Sequence, residues 1–448
     1  MGDADSARLA RQTVGAAAGV LAAIAIAGGL LWWRRPRLEP IEVSQQTTYV
    51  IQPTRADGWV DYPGAVDWMR RAGLDAGGTN AAPALERALA AMPERPRSQS
   101  VESVESGEAG ATPVDALPPE TRAWLAERCR TGDGKPPTLA AVRRWLAQAE
   151  AALASLREAS GAKALYVSIA REGGARRFGQ VGARAGEGAR ALRCRAAVRQ
   201  MEGDSPAGWA DVEALWKLGA LIARSATPAE YASGANFWRD AMEATVDLAA
   251  DDRTGDQLLA AMQAALRVQP AFPPATESLA ILRLETLHGV ATPLVTGAPG
   301  SGPLAPPGTS ARLGEINLRF DALEAALQIA DPKQRIARVD QAAPAAPGAG
   351  DTARGLLTDE VRARSYQRLA SIAVALAKHR RSTGQAAAAL AELGELPADP
   401  GSGAPFGYAH DARGFRLVGV GGDGRADGGD PAKDVVAVGG SPARLARP

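Results

Sequence analysis

The sequence predicts a mainly α protein with an N-terminal single transmembrane helix, an α-helical bundle body and a small C-terminal β-rich appendage. Three observations lead to that class. An uncharged apolar run occupies 13–33, helical periodicity with proline-opened starts fills the middle, and Pro/Gly-rich composition takes over from Pro397.

The run Thr13–Trp33 reads TVGAAAGVLAAIAIAGGLLWW and is followed by Arg34, Arg35 and Arg37. As a helix it rises about 31 Å, close to the ~30 Å hydrocarbon core of a bilayer. Trp32 and Trp33 suit the interfacial belt and the arginines the headgroup layer. A cleaved signal would have a shorter apolar core and small residues after it, whereas this run ends bulky and basic. An uncleaved anchor is therefore expected, after a short tail over 1–12. Arg8 and Arg11 before the run nearly balance the three arginines after it, so charge does not orient the body.

A juxtamembrane helical segment is expected over 38–92. The stretch 93–118 is acidic, Ser-rich and poor in aliphatics, which reads as a disordered linker. The α-helical body follows over 119–295. Thr138 to Ser160 sets Leu139, Val142, Leu146, Ala149, Leu153 and Leu156 on one face. Ser205-Pro206 and Thr227-Pro228 each read as an N-cap followed by a first-turn proline. Further helices are expected near 256–268 and 276–288. A Pro/Gly linker over 296–312 precedes a helix at 313–341. A second linker over 342–353 leads to a long helix and turn at 354–396, with the helix near 358–381 and Gly384 at its end. Short apolar runs at 415–418 and 434–438 read as strands within a tail over 397–440, and a disordered C-terminus is expected over 441–448.

The chain has 448 residues, enough for two or three domains, and a formal net charge of +1. Without a polybasic face there is no electrostatic case for a nucleic-acid partner. Cys129 and Cys194 are the only cysteines. They allow one disulfide in an oxidising compartment or two buried thiols in a reducing one. His288, His379 and His410 lack metal-ligand spacing, and no GxSxG elbow is present. Gly419 to Gly424 matches GxGxxG, but the Asp/Gly/Pro-rich sequence after it cannot promptly open a helix, so no nucleotide site is expected. Gly182, Gly186 and Gly188 read as a flexible turn. Glu150, Glu158 and Glu213 read as solvent-facing charges on helices. Asp423, Asp427, Asp430 and Asp434, interleaved with glycine, offer oxygen ligands of the kind that wrap a hard cation such as Ca²⁺; a solvated acidic turn is the alternative.

Several pieces of the tail occur in a telling order. Pro397-Ala-Asp-Pro400 is followed by Pro405-Phe-Gly-Tyr408 and Gly414-Phe-Arg-Leu417. Gly422-Asp-Gly424, Asp427-Gly-Gly-Asp430 and Asp434-Val-Val436 complete the set. In this order the tail resembles the C-terminal region of type II secretion major pseudopilins. The approach Arg381-Ser-Thr-Gly384 and Leu390-Ala-Glu-Leu393 fits as well. The resemblance implies calcium held by Asp423, Asp427, Asp430 and Asp434. The anchor carries no prepilin peptidase site, and Leu417-Val-Gly-Val420 replaces the family's usual strand, so filament assembly is not implied. Across most of its length the chain resembles uncharacterised planctomycete membrane-anchored proteins with this tail. Asp57-Gly-Trp-Val-Asp-Tyr62, Asn80-Ala-Ala-Pro83, Leu117-Pro-Pro-Glu120 and Trp145 to Ala159 carry that likeness. It implies a single-pass protein of the cytoplasmic membrane with its body on the periplasmic side.

The expected function is a non-catalytic cell-envelope scaffold or partner-binding module with a Ca²⁺-binding tail. An envelope hydrolase using a carboxylate pair, or an accessory of a type II secretion-like system, is the alternative.

Overall fold

The computed structural model describes residues 38–75, 77–93, 139–168, 174–224, 226–268, 270–296, 302–345, 348–411, 414–430 and 433–440. The expected anchor at 13–33, nearly all of the acidic linker, Cys129 and the terminus 441–448 lie outside these residues. Among the described residues no helix is long and apolar enough to cross a membrane.

In chain order, β1 (Glu39–Pro40) and the single turn α1 (Gln45–Thr48) precede α2 (Tyr62–Asp75) and α3 (Ala82–Ala91). Then come α4 (Leu139–Gln148), α5 (Glu150–Ser160), α6 (Gly174–Met201), α7 (Ser205–Ala223) and α8 (Pro228–Ala250). α9 (Asp256–Val268), α10 (Ala275–Ala291), β2 (Leu304–Ala305), α11 (Thr309–Leu327) and α12 (Pro332–Ala342) follow. The long α13 (Ala349–Thr383) leads into β3 (Gly407–Asp411), β4 (Gly414–Gly419) and β5 (Val435–Gly440). The chain divides into two compact units, one of 1–61 with 289–315 and one of 62–288 with 316–448.

In the smaller unit β1 and β2 pair antiparallel, Glu39 opposite Ala305, and the Ile41 N–H donates to the Pro303 carbonyl at 3.0 Å. Ser44 opens α1 with a reciprocal capping box to Thr47. Asp57 accepts from the Trp59 N–H at 3.0 Å and from Arg55 at 2.6 Å, and Trp59 and Val60 are buried.

The larger unit is a helical bundle. Asp204, rather than Ser205, caps α7 by accepting the Ala207 N–H at 3.2 Å. Thr227 and Glu230 form the capping box that opens α8, with Pro228 behind the cap as expected. α8 packs on α7 and α13, α7 on α6, and α3 on α5. At the α7–α8 crossing, a Cβ on Gly219 would meet the Gly234 carbonyl at 2.8 Å, and a Cβ on Gly234 would meet the Gly219 carbonyl at 2.6 Å. Only glycine lets the two backbones approach so closely. The core is threaded by aromatic contacts. Trp209–Trp216, Trp216–Trp238, Trp238–Phe272 and Tyr231–Phe272 ring centroids lie 5.8, 6.2, 5.4 and 5.2 Å apart. These few rings supply area that an alanine-rich sequence otherwise lacks.

β3, β4 and β5 form an antiparallel sheet in that order, with Leu417 opposite both Tyr408 and Ala437. β5 rests on α8 and α13. Asp399, 1% exposed, ties the tail down. Its carboxylate accepts from Ser365 Oγ on α13 at 3.0 Å, the Val420 N–H at 3.0 Å, Ser402 Oγ at 2.9 Å and the Gly401 N–H at 3.2 Å.

Several expectations need correction. The segment 38–92 is helical only over α1, α2 and α3, with β1 ahead of them and an irregular stretch at 49–61, and the linker expected over 296–312 holds β2 and gives way to α11 at Thr309. The stretch 139–160 divides at Ala149 into two helices, although Val142, Leu146, Ala149, Leu153 and Leu156, expected on one face, are all buried. The helix expected over 313–341 is α11 and α12, because Asp331 caps a new helix at Pro332 through the Gln334 N–H at 2.7 Å. The linker at 342–353 is shorter than expected, since α13 starts at Ala349, directly after Gly348 at φ +78°. Gly182, Gly186 and Gly188 lie inside α6 rather than in a turn. At Gly188 a Cβ would meet Leu156 Cδ1 at 2.8 Å, so packing calls for a small residue there.

Candidate functional site

The acidic tail loop was the site expected from sequence, and its aspartates do separate jobs. Asp434 is 2% exposed, and its carboxylate accepts the Gly429 N–H at 2.6 Å and the Asp427 N–H at 3.0 Å. It closes the loop from within, helped by Arg416, which donates to the Gly429 carbonyl at 2.7 Å. Asp423 accepts the Arg425 N–H at 3.1 Å, a local turn contact, and Asp427 lies 3.6 Å from Lys433 Nζ. Asp430 is exposed; its N–H donates to the Asp427 carbonyl, and its own carbonyl accepts from Asp434 at 2.7 Å. Among the described residues no group of three or more His, Cys, Asp or Glu is placed to hold a metal ion. The two backbone donors at Gly429 and Asp427 engage the Asp434 carboxylate.

The GxGxxG stretch also has a packing explanation. β4 ends at Gly419, and no helix follows it among the described residues. A Cβ on Gly421 would fall 1.8 Å from the Lys433 carbonyl oxygen, and one on Gly422 would fall 2.5 Å from Thr358 on α13. These glycines let the loop lie flat on its neighbours.

A cleft of about 430 Å³ opens where the tail sheet meets the ends of α8 and α13. Ala249, Ala250, Leu376, Ala377 and Phe415 give it apolar walls, and Asp251, Asp252, Arg380, Arg381, His410 and Asp411 line it with charge and polarity. Arg380 pairs with Asp252 at 3.2 Å and Arg381 with Asp256 at 3.7 Å. Asp251 takes Arg253 at 2.7 Å and Gln200 Nε2 at 2.9 Å. Burial opposes the charge on Asp251, but the hydrogen bonds and charge of Arg253 outweigh it and hold the carboxyl below its ordinary range. The carboxylate therefore stays ionised and paired. Tyr408 donates to the Ala387 carbonyl at 2.8 Å, and burial, aided by the Glu392 charge, pushes its hydroxyl up. His410 stacks on Tyr408 with centroids 5.5 Å apart.

β3 stands at the edge of the sheet, and along it only Tyr408 is even half-buried. Its outer edge therefore lies beside the cleft with no further strand paired to it among the described residues. Sequence reading placed the strands nearby but missed the cleft, because its walls come from positions as distant as Asp251 and Arg380. The one available signal was the alternation of Tyr408 and His410 on one strand face.

No family model, curated protein or solved structure matches this chain.

The remaining singled-out residues have structural partners. His288 meets Tyr62 edge-on at 6.2 Å, and His379 Nε2 lies 3.7 Å from Glu392. Glu150, Glu158 and Glu213 lie on helix surfaces as expected, paired with Arg195, Arg87 and Lys217. Cys194 is fully buried and disulfide-bonded.

Proposed function

We propose that this protein is a non-catalytic cell-envelope scaffold, held by a single-pass anchor, that takes an extended segment of a partner protein at the cleft beside β3. The observation that carries this reading is the exposed edge strand lying along an apolar-walled cleft. An added strand would pair along the outer edge of β3, with its alternate side chains dropping into the cleft. The disulfide at Cys194 supports an oxidising compartment, hence a body on the periplasmic side of the cytoplasmic membrane. The anchor itself rests on the sequence of 13–33.

In-cell photo-crosslinking tests the docking. A benzophenone amino acid at position 409 is expected to give a discrete protein adduct, whereas one at position 318, on a side chain 70% exposed on α11, gives none. Ala377→Trp, which fills the cleft, should remove the adduct. Equal adducts at both positions, or an adduct that survives Ala377→Trp, would refute the reading. An adduct that proves to be a pseudopilin would turn the scaffold into a secretion accessory, the role that the tail's resemblance suggests.

Calcium binding by the tail rests on the glycine-interleaved aspartates at 423, 427, 430 and 434 and on that resemblance. If it holds, millimolar Ca²⁺ raises the melting temperature, and alanine at Asp423 and Asp430 abolishes the rise. An unchanged melting temperature in the unmutated protein would remove calcium from the reading.

A further inference from the structure

A second cavity lies within the larger unit, away from the tail. α2 carries Gly64, Asp67, Trp68 and Arg71 at three-to-four spacing, which sets them along one helix face. Facing them is an extended stretch in which alternation turns Tyr166 and Ser168 to the same side. Asn80 fixes that stretch. Its Nδ2 donates to the Tyr166 carbonyl at 3.0 Å, and its Oδ1 accepts the Tyr166 N–H at 3.0 Å. The space between is about 800 Å³, inside the ~300–1,000 Å³ range of small-molecule sites. Trp68 remains 68% exposed along it. The Arg71 guanidinium sits 5.7 Å from the Tyr166 ring centroid, and Ser168 Oγ donates to Asp67 Oδ2 at 2.5 Å.

We propose that this cavity binds an uncharged oligosaccharide. The inference is independent of the docking cleft and stands or falls without it. A sugar ring has one face of weakly positive C–H groups, which suits the electron-rich face of an exposed indole. Its hydroxyls both donate and accept, so one ligand can accept from the Arg71 guanidinium and donate to the remaining lone pairs of the Asp67 carboxylate and the Ser168 hydroxyl, which bond each other. A purely aliphatic ligand would desolvate the Arg71 guanidinium without a hydrogen-bond acceptor in exchange for water. A phosphate ester would bring like charge against Asp67. The mix of one flat apolar platform with acceptor, hydroxyl and cation matches a neutral polyol.

The test is calorimetric titration of the full-length protein in lauryldimethylamine oxide, a detergent without a sugar headgroup. Cellotetraose, chitotetraose and maltotetraose are the probes, with adenosine monophosphate as the rival ligand. At least one oligosaccharide should bind saturably. Trp68→Ala should weaken it by about tenfold, the loss of a stacked ring. Asp67→Asn should weaken it too, with the melting curve and the helical circular dichroism of both variants unchanged. Leu318→Ala serves as the surface control and should bind like the unmutated protein. The proposal is overturned if none of the three sugars gives saturable heat, or if Trp68→Ala binds as before. It is equally overturned if adenosine monophosphate displaces the sugar or binds in its stead.

Discussion

Asp211 is fully buried on α7, yet its charge is surrounded. Arg195 grips it bidentately at 2.9 and 2.7 Å, Arg199 donates at 2.8 Å, and Arg157 stands 3.6 Å away. Removing the carboxylate would leave Arg195, itself nearly buried, without its main counter-charge. Asp211→Ala is therefore expected to destabilise by about 3–5 kcal/mol, measured by urea unfolding. Nothing in the sequence distinguishes this aspartate from the helix-surface acids around it. Its neighbour Glu213, read as solvent-facing, is half-buried and pairs with Lys217. The difference is made by three arginines contributed from α5 and α6, a coincidence in space that no local pattern reports. Thr227 was legible for the opposite reason: both partners of its capping box lie within one turn of chain.

At the scale of elements, the tail hangs on Asp399. Its carboxylate bonds α13, the turn after Pro400 and the residue following β4, so it sets where the sheet sits on the helices. Asp399→Ala strands at least two buried donors at about 1–3 kcal/mol each. Limited trypsin digestion of this variant should cut the tail, which carries Arg416 and Arg425, earlier than in the unmutated protein. The helical circular dichroism should persist; simultaneous loss of both would show that tail and bundle do not separate. Asp399 entered the sequence reading only as part of the Pro397–Pro400 piece of the resemblance, and its anchoring role was not legible there. The same Asp-Pro dipeptide at Asp331-Pro332 starts α12 inside a span expected as one helix, 313–341. α6 was obscured by its glycines, which weaken a helical reading even where packing demands them.

For the whole molecule, the helical class and the terminal sheet were readable because period and turn chemistry are local. The pairing of 1–61 with 289–315 was not, since it joins distant stretches through two-residue strands too short to leave a pattern. The disulfide at Cys194 selects between the two cysteine readings left open by spacing. Alkylation of the denatured, unreduced protein should find no free thiol, and two after reduction. Free thiols before reduction would argue for a reducing compartment and against a periplasmic body.

The back-to-back glycines of α7 and α8 bear on ancestry as well as packing. Where each residue's missing side chain is filled by the other's backbone, neither position can drift to a larger residue alone. Distant relatives of this chain should therefore betray themselves by a paired absence: two proline-opened helices in succession, each keeping a glycine at the place where they cross, however far the surrounding sequence has diverged.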